Sequence, residues 1–231
     1  VIYGFSHTHL SGTGVPDYCD LLIVPQSGKK AKVVPGYEDS EGFGSTFSHN
    51  TEIAKPGYYE VYLEDDAIKA QMTTSERAGI HQYTFLRKED KKFILIDFDH
   101  RDDLILAEYI LDDKKHISGQ RISKSWAEEQ HFYFDLEFSI EPSKIKRVSN
   151  KHGHKLLIEF PKQTKTLKIA IGISQVDEAG ALKNRQTELD GFNFNKTRAL
   201  TRIKWQKELS KIKVSKENRE KASIFYTALY H

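Results

Sequence analysis

A hydrophobic alternation with a period of two runs through most of this chain, from about residue 20 to residue 175. It is clearest over residues 132–140, where apolar side chains occupy one face and Tyr133, Asp135 and Glu137 the other. Such alternation is typical of a β-strand with one buried face. Roughly a dozen such segments recur about every ten residues, with no helical pattern between them. The sequence therefore predicts an antiparallel β-sandwich.

Two features refine the predicted sheets. Residues 58–63 and 68–72 flank an acidic tip at residues 64–66, which predicts a hairpin. Residues 93–98 are apolar on both faces, which predicts a central strand that is covered on two sides.

A helical period replaces the alternation near Val176. Residues 178–189 predict a short helix, Asn193 is a candidate N-cap for a second helix, and Ser215 for a third. The apolar pattern of the third helix continues to the last residue without a stop signal, so we expect it to pack against a further part of a longer polypeptide. The apolar positions of the second and third helices are Leu200, Ile203, Trp205, Leu209 and Ile212, followed by Ala222, Phe225, Tyr226 and Leu229.

Composition limits the classes of partner. Lysine and arginine number 35 against 33 acidic residues, and the net charge of +2 gives no electrostatic case for nucleic-acid binding. No apolar run is long enough to predict a membrane span. Cys19 is the single cysteine, so no internal disulfide can form. The chain begins at Val1 without a signal-peptide pattern, and we expect it to be part of a longer precursor.

Residues 4–14 form the most polar local segment, with two histidines, four hydroxyl side chains and three glycines. In an extended chain His7 and His9 would share one face, with Ser6 and Thr8 on the other. Burying these groups is costly unless each one finds a hydrogen-bond partner. The segment therefore predicts either a polar site or a well-satisfied interface.

His7 and His9 could share a metal ion with Asp17 or Asp20 as a further ligand. Because His-x-His alone is a weak metal pattern, we favour a role in lining a substrate site, where a neutral imidazole offers both a donor and an acceptor. Residues 11–14 are not a phosphate-binding loop, since the lysine and the following helix are absent. We assign no metal ligand within the chain.

Trp126 allows two interpretations, which the sequence leaves open. A tryptophan in a loop can stack on the face of a sugar ring, and it can equally be a partly buried core residue. The polar residues 97–102 are more typical of ion-pair networks at strand ends than of catalysis. No acid–base pair can be chosen, because a glycosidase needs two carboxylates at a defined separation in space.

Residues 4–14, together with Asp17 and residues 20–22, resemble the signature of glycoside hydrolase family 92, which comprises calcium-dependent, exo-acting α-mannosidases. The similarity continues in the same order over nearly the whole chain. The further segments that carry it are residues 47–50, 56–59, 73–79, 97–102, 125–127, 172–174 and 225–231.

The resemblance implies the domain organisation. Residues 1–176 would form a β-supersandwich domain, residues 177–214 a helical linker, and residues 215–231 the start of a truncated (α/α)6 catalytic domain. The fold class is then all-β, an antiparallel β-supersandwich followed by a short C-terminal α-helical linker. The general acid, the general base and most calcium ligands would lie beyond His231, so no catalytic residue is assigned within the chain.

The resemblance also implies the function: an inverting, calcium-dependent α-mannosidase, with α-1,2 linkages expected, that removes terminal mannose from glycans, as in N-glycan processing. A periplasmic, secreted or cell-surface location would follow. This chain alone is predicted to be inactive, with mannose-containing glycans and the missing C-terminal helical domain as its partners. A stand-alone carbohydrate-binding β-sandwich and a purely structural scaffold are the alternatives. The predicted substrate-binding residues are His7, Thr8, His9, Ser11, Thr13, Asp17 and Trp126.

Overall fold

The protein is described by a computed structural model that covers residues 1–9, 18–111, 113–150, 153–215 and 218–231. Within these residues the chain forms twelve strands, three α-helices and one 3-10 turn at His49–Thr51. The elements are β1 (Leu22–Gly28), β2 (Ile53–Lys55), β3 (Tyr58–Leu63), β4 (Ile68–Thr74), β5 (Ala78–Phe85), β6 (Lys91–Asp97), β7 (Asp103–Leu111), β8 (His116–Lys124), β9 (Gln130–Phe138), β10 (Lys144–Asn150), β11 (Gly153–Phe160), β12 (Thr166–Ser174), α1 (Glu178–Glu188), α2 (Phe194–Leu209) and α3 (Arg219–Tyr230).

The strands form two antiparallel sheets, which confirms the predicted fold class. The smaller sheet has the order β1-β6-β11-β10, and the larger one the order β2-β3-β4-β5-β12-β9-β8-β7. The predicted hairpin is β3–β4. The strand that is apolar on both faces is β6, which pairs with β1 on one side and β11 on the other.

The main core lies between the two sheets. From β9 it takes Phe132, Phe134, Leu136 and Phe138, every second residue, as the alternation predicted. The opposite face of β9 is also covered, because α1 packs on the outside of the larger sheet. Arg185 of α1 binds Asp135 and Glu137 there.

The helix caps were predicted with mixed success. Asn193 caps α2, its side chain accepting a hydrogen bond from the amide of Lys196 at 3.2 Å. The prediction of Ser215 as the cap of the third helix is wrong. Because α3 begins only at Arg219, the capping position falls to Asn218, whose Oδ1 accepts from the amide of Lys221 at 2.9 Å.

Helix α2 docks on the larger sheet, and of its predicted apolar residues Trp205 and Leu209 are partly buried, Trp205 beside Gly57. Its buried residues are Phe194, Thr197 and Thr201, and the Thr201 hydroxyl donates a hydrogen bond to the carbonyl of Thr74. Leu200 and Ile203 are exposed instead. The expected Ile212 lies beyond the end of the helix.

No residue of α3 is buried, although Phe225 and Tyr226 are partly covered. None of the helices in the described part of the chain is both long and apolar enough to cross a membrane. The domain boundaries at residues 176 and 214 stay predictions.

Candidate functional site

A cleft of about 1020 Å³ lies where the N-terminal segment crosses the larger sheet. Ser6, His7 and His9 line it from the N-terminal segment, and His81 lines it from β5. The turn between β4 and β5 closes another part of its wall with Glu76 and Arg77, among other residues of that turn.

The backbone of the N-terminal segment is held against the start of β1. Phe5 exchanges two hydrogen bonds with Ile23, the His7 amide donates to the carbonyl of Asp20 at 3.0 Å, and the Cys19 amide donates to the carbonyl of Thr8 at 2.9 Å. This extended path turns His7 and His9 toward the cleft and Thr8 away from it. The arrangement agrees with the expected alternation for His7, Thr8 and His9, whereas Ser6, expected on the face of Thr8, lines the cleft as well.

His7 is held in one tautomer. Its Nδ1 lies 2.9 Å from the carbonyl oxygen of Leu21, which can only accept, so Nδ1 carries the proton. Burial lowers the pKa of His7 to about 4, against the opposing effect of hydrogen bonds to the backbone of Leu21 and Asp20. The buried Nε2 is thus an unprotonated acceptor, and it has no hydrogen-bond partner among the described residues.

His81 lies directly against His7 and was not singled out from the sequence. The two rings stack with centroids 4.9 Å apart and an interplanar angle of 13°. Burial, with a smaller effect of His7, holds the pKa of His81 well below its usual range. Its Nδ1 lies 2.7 Å from the hydroxyl of buried Tyr83, and burial raises the pKa of Tyr83, so the phenol keeps its proton. The alternation over residues 81–85 would have placed both side chains on the inner face.

Thr8 contacts a buried carboxylate on the side away from the cleft. Its hydroxyl donates to Oδ2 of Asp20 at 2.7 Å and accepts from the Asp20 amide at 3.0 Å. Arg121 binds Oδ1 of Asp20, and Gln130 donates to Oδ2 at 2.9 Å. Burial raises the pKa of Asp20, and the charge of Arg121 and the Thr8 hydroxyl counteract it.

Arg121 joins this cluster to a second acid, Asp102. The guanidinium is fully buried, and it donates to Asp102, to the Phe98 carbonyl at 2.6 Å and to the Ser123 hydroxyl at 2.8 Å. The prediction that residues 97–102 form an ion-pair network therefore holds for Asp102. Arg121 itself was missed, because its partner Asp20 is 101 residues away in the sequence.

Glu188, the last residue of α1, holds the β4–β5 turn in place through hydrogen bonds. One carboxylate oxygen accepts from the Ser75 hydroxyl at 2.7 Å and from the Arg77 amide at 2.9 Å, and the other accepts from Nε of Arg77 at 2.8 Å. Burial alone would raise the pKa of Glu188, but these hydrogen bonds outweigh it and lower the pKa. The wall of the cleft is thus set by an α1 residue.

The remaining predicted residues are only partly placed. Trp126 is 72% exposed in the turn between β8 and β9, which rules out the core interpretation, and it is not among the residues that line the cleft. Ser11, Thr13 and Asp17 lie outside the described residues. The substrate-binding roles of all seven candidates stay predictions.

The described residues do not fit a calcium ion. Calcium prefers six to eight oxygen ligands, whereas Glu76 is the one carboxylate among the described residues that line the cleft. The described part of the chain holds no cluster of three or more His, Cys, Asp or Glu side chains suited to a metal. No chemical step is therefore derived through calcium here.

Two family models match the chain, the glycosyl hydrolase family 92 N-terminal domain over residues 1–174 and the glycosyl hydrolase family 92 catalytic domain over residues 180–231. The fold is thus that of the N-terminal β-sandwich domain of a glycoside hydrolase. The chain belongs to glycosyl hydrolase family 92.

Solved structures with this fold include a family 92 α-mannosidase from Bacteroides thetaiotaomicron, with 32% identity, a TM-score of 0.87, and coverage of 99% of this chain and 33% of that one. The same enzyme has been solved with mannoimidazole. A family 92 inverting mannosidase from the same organism has 17% identity and a TM-score of 0.69 over 84% of this chain and 27% of that one, which supports the fold alone.

An uncharacterized secreted glycosidase of Arthroderma benhamiae is 25% identical over 246 residues, which cover 91% of this chain and 32% of that protein. The chain therefore spans about a third of the length of these relatives.

Proposed function

We propose that this chain is the N-terminal region of an exo-acting, inverting α-mannosidase that removes terminal α-linked mannose from glycans. The observation that carries the proposal is the cleft in the family's N-terminal domain, into which the N-terminal segment presents His7 and His9. The likeness to a solved α-mannosidase at 32% identity supports the same substrate class. We infer α-1,2 linkages, as found in N-glycans, as the substrate.

In this proposal the cleft supplies one wall of the substrate site. A buried acceptor such as His7 Nε2 suits a sugar hydroxyl or a water molecule that serves one. An inverting glycosidase needs a general acid and a general base about 6.5–9.5 Å apart. The described lining of the cleft offers the single carboxylate Glu76, which is paired with Lys204 at 2.9 Å. The acid, the base and the ligands of the expected calcium ion would then come from the helical catalytic domain.

The first experiment compares the whole protein with the 231-residue chain on α-1,2-mannobiose. We expect the whole protein to release mannose and to lose activity on removal of calcium with a chelator, and the chain alone to release none. The initial product, read by proton NMR, should be the β-anomer. Failure of the whole protein to release mannose would contradict the proposed function.

A second experiment tests the wall of the site. His9→Ala in the whole protein should lower kcat/KM by about tenfold or more, the usual effect of losing a substrate-positioning contact. The matched control is His131→Ala, since His131 lies on β9 and does not line the cleft. Equal kcat/KM values for both variants would contradict a role for His9.

Calorimetric titration of the chain alone with mannobiose distinguishes the stand-alone binding module from the proposal. A module would bind the sugar without the helical domain, whereas half of a site should bind it weakly or not at all. We further propose a periplasmic, secreted or cell-surface location, supported by the secreted relative. Fractionation of cells that express the whole protein tests this location.

A further inference from the structure

We propose that Thr8, Asp20 and Arg121 form a positioning network that sets the orientation of His7 and His9 in the cleft. This inference rests on the proposed function, because it assigns to these three residues the task of holding one wall of the mannoside site. None of the three is proposed to touch the sugar. They act through the histidine segment.

The first step of the argument is the double contact of Thr8 with Asp20. The hydroxyl donates to the carboxylate at 2.7 Å and accepts from the amide of the same residue at 3.0 Å. Both contacts are made by the side chain that lies between the two cleft histidines in the sequence. A shift of Thr8 would therefore move His7 and His9 together.

The second step is that Asp20 also fixes the ring of His7. The His7 amide donates to the Asp20 carbonyl at 3.0 Å, and the imidazole Nδ1–H donates to the carbonyl of the next residue, Leu21, at 2.9 Å. The position of residues 20 and 21 thus decides where the unprotonated Nε2 lies.

The third step is that Asp20 is itself immobilised by buried charge. Asp20 and Arg121 are both fully buried, and Arg121 is held in turn by Asp102 and by the Phe98 carbonyl. Removing one partner of a buried ion pair leaves an uncompensated buried charge and is strongly destabilising. The pair therefore has one stable arrangement, and the chain around it is anchored to β8.

The fourth step is backbone strain at the same place. Tyr18, Cys19 and Leu21 have φ angles of 67°, 63° and 53°, in the left-handed region that side-chain-bearing residues rarely occupy. Residues in this conformation are strained and persist where the surrounding structure over-determines them. The contacts of Asp20 are the surroundings that hold this turn, and a weakened network would let the turn relax and His7 move.

The decisive variant is Thr8→Val in the whole protein, which keeps the shape of the side chain and removes both contacts with Asp20. We expect kcat/KM for α-1,2-mannobiose to fall by about tenfold or more, while Thr8→Ser, which keeps the hydroxyl, stays within about threefold. Gln26→Met is the matched control. Gln26 is a buried residue of β1 in the smaller sheet, it does not line the cleft, and its side chain makes two hydrogen bonds to the backbone of Lys32. Loss of these bonds should lower stability but leave kcat/KM unchanged.

A second readout does not depend on activity. Peptide mapping after brief treatment with diethyl pyrocarbonate reports the accessibility of each imidazole. His7 should be protected in the wild type and in Gln26→Met, and it should be modified several-fold faster in Thr8→Val. Should Thr8→Val fail to fold, Gln130→Met, which removes one contact with Asp20, is read in the same two assays.

The outcomes separate the two proposals. If the wild type is inactive but Thr8→Val still exposes His7 to modification, the proposed function is overturned and the positioning network is not. An active wild type in which Thr8→Val changes neither kcat/KM nor the modification of His7 overturns the positioning network. Equal losses of kcat/KM in Thr8→Val and Gln26→Met would also overturn it, because they would reduce the effect to lost stability.

Discussion

His7 and His81 form a pair of stacked imidazoles that is neutral at physiological pH. Among the described residues, neither ring has a carboxylate as its hydrogen-bond partner, since His7 binds the Leu21 carbonyl and His81 binds the Tyr83 hydroxyl. Burial therefore decides the pKa of both rings, and it lowers each of them. Such a pair can accept hydrogen bonds in the cleft but is costly to protonate.

The first prediction concerns acid stability. Folded His7 has a pKa of about 4, whereas an unfolded histidine has about 6.5, so between these values the unfolded state binds more protons. Stability should consequently fall as the pH drops from 6.5 toward 4. His7→Gln should remove about 2 kcal/mol of the loss between pH 7 and pH 5, measured by urea unfolding of the chain at both pH values.

The control for this prediction is His9→Gln, because His9 is exposed on the same segment. This variant should keep the wild-type fall in stability. Parallel pH dependences for His7→Gln and the wild type would contradict the assignment of the acid-sensitive group to His7.

The position of His7 and His9 on one face was predictable from the sequence. The buried contacts that hold this segment were not. Alternation in an extended segment places His7 and His9 together without any tertiary information. The link from Thr8 through Asp20 to Arg121 depends on residues more than a hundred positions apart, which only the fold brings together. His81 lies between these cases, since its strand was predicted and its role as a neighbour of His7 was not.

Helix α2 is attached to the sheet through a small, close contact. Gly57, just before β3, has a φ of +75° and approaches Thr201 so closely that a Cβ at this position would lie 2.2 Å from Cγ2 of that residue. The guanidinium of Arg198 lies 3.5 Å from the centre of the ring of Tyr58, the residue after Gly57. This close approach of Gly57 and Thr201 adds to the apolar contact that α2 makes through Phe194, which is buried against Tyr58.

We predict that Gly57→Ala separates this helix from the sheet. The substitution combines the cost of a left-handed alanine, about 1 kcal/mol, with overpacking of about 1–3 kcal/mol. Gly191→Ala is the matched control, because Gly191 has a φ of +53° and no atom within 4 Å of an added Cβ. In urea unfolding Gly57→Ala should lose clearly more stability than Gly191→Ala, and equal losses would contradict the close contact.

Strands such as β8 and β9 were predictable because their buried residues recur with a period of two, whereas β6 was predictable as a run that is apolar on both faces. The helix contacts were not, because the pattern of α2 drew attention to Leu200 and Ile203, whereas the fold buries Thr197 and Thr201. The Ser215 cap failed for a related reason: both Ser215 and Asn218 precede α3, and either one satisfies the sequence rule for an N-cap.

The surface of the chain carries apolar side chains on the helices. Ile203 of α2 and Ile224 of α3 are 61% and 64% exposed, and Leu200 is 50% exposed. Contiguous exposed apolar surface is typical of an interface with another domain or another protein.

The last prediction is that the 231-residue chain self-associates in isolation. Its weight-average mass in sedimentation should rise with concentration, and the double variant Ile203→Glu with Ile224→Glu should remain a monomer. The control is Leu86→Glu. Leu86 is exposed in the turn between β5 and β6, away from the helices, and its exchange should leave the association unchanged. A wild-type chain that is monomeric at all concentrations would contradict the prediction.

The contacts of Asp20 also determine how early the N-terminal segment can reach its final position during synthesis. Arg121 and Gln130 follow it by 101 and 110 residues, so the ribosome releases the acid long before its partners. Bringing such distant positions together is slow, because loop-closure entropy must be paid before the contacts form. The histidine segment, the first part of this chain to emerge, is therefore among the last to reach its final position. Nascent chains that have not yet been extended to Arg121 and Gln130 would carry Asp20 in water, with the cleft unformed.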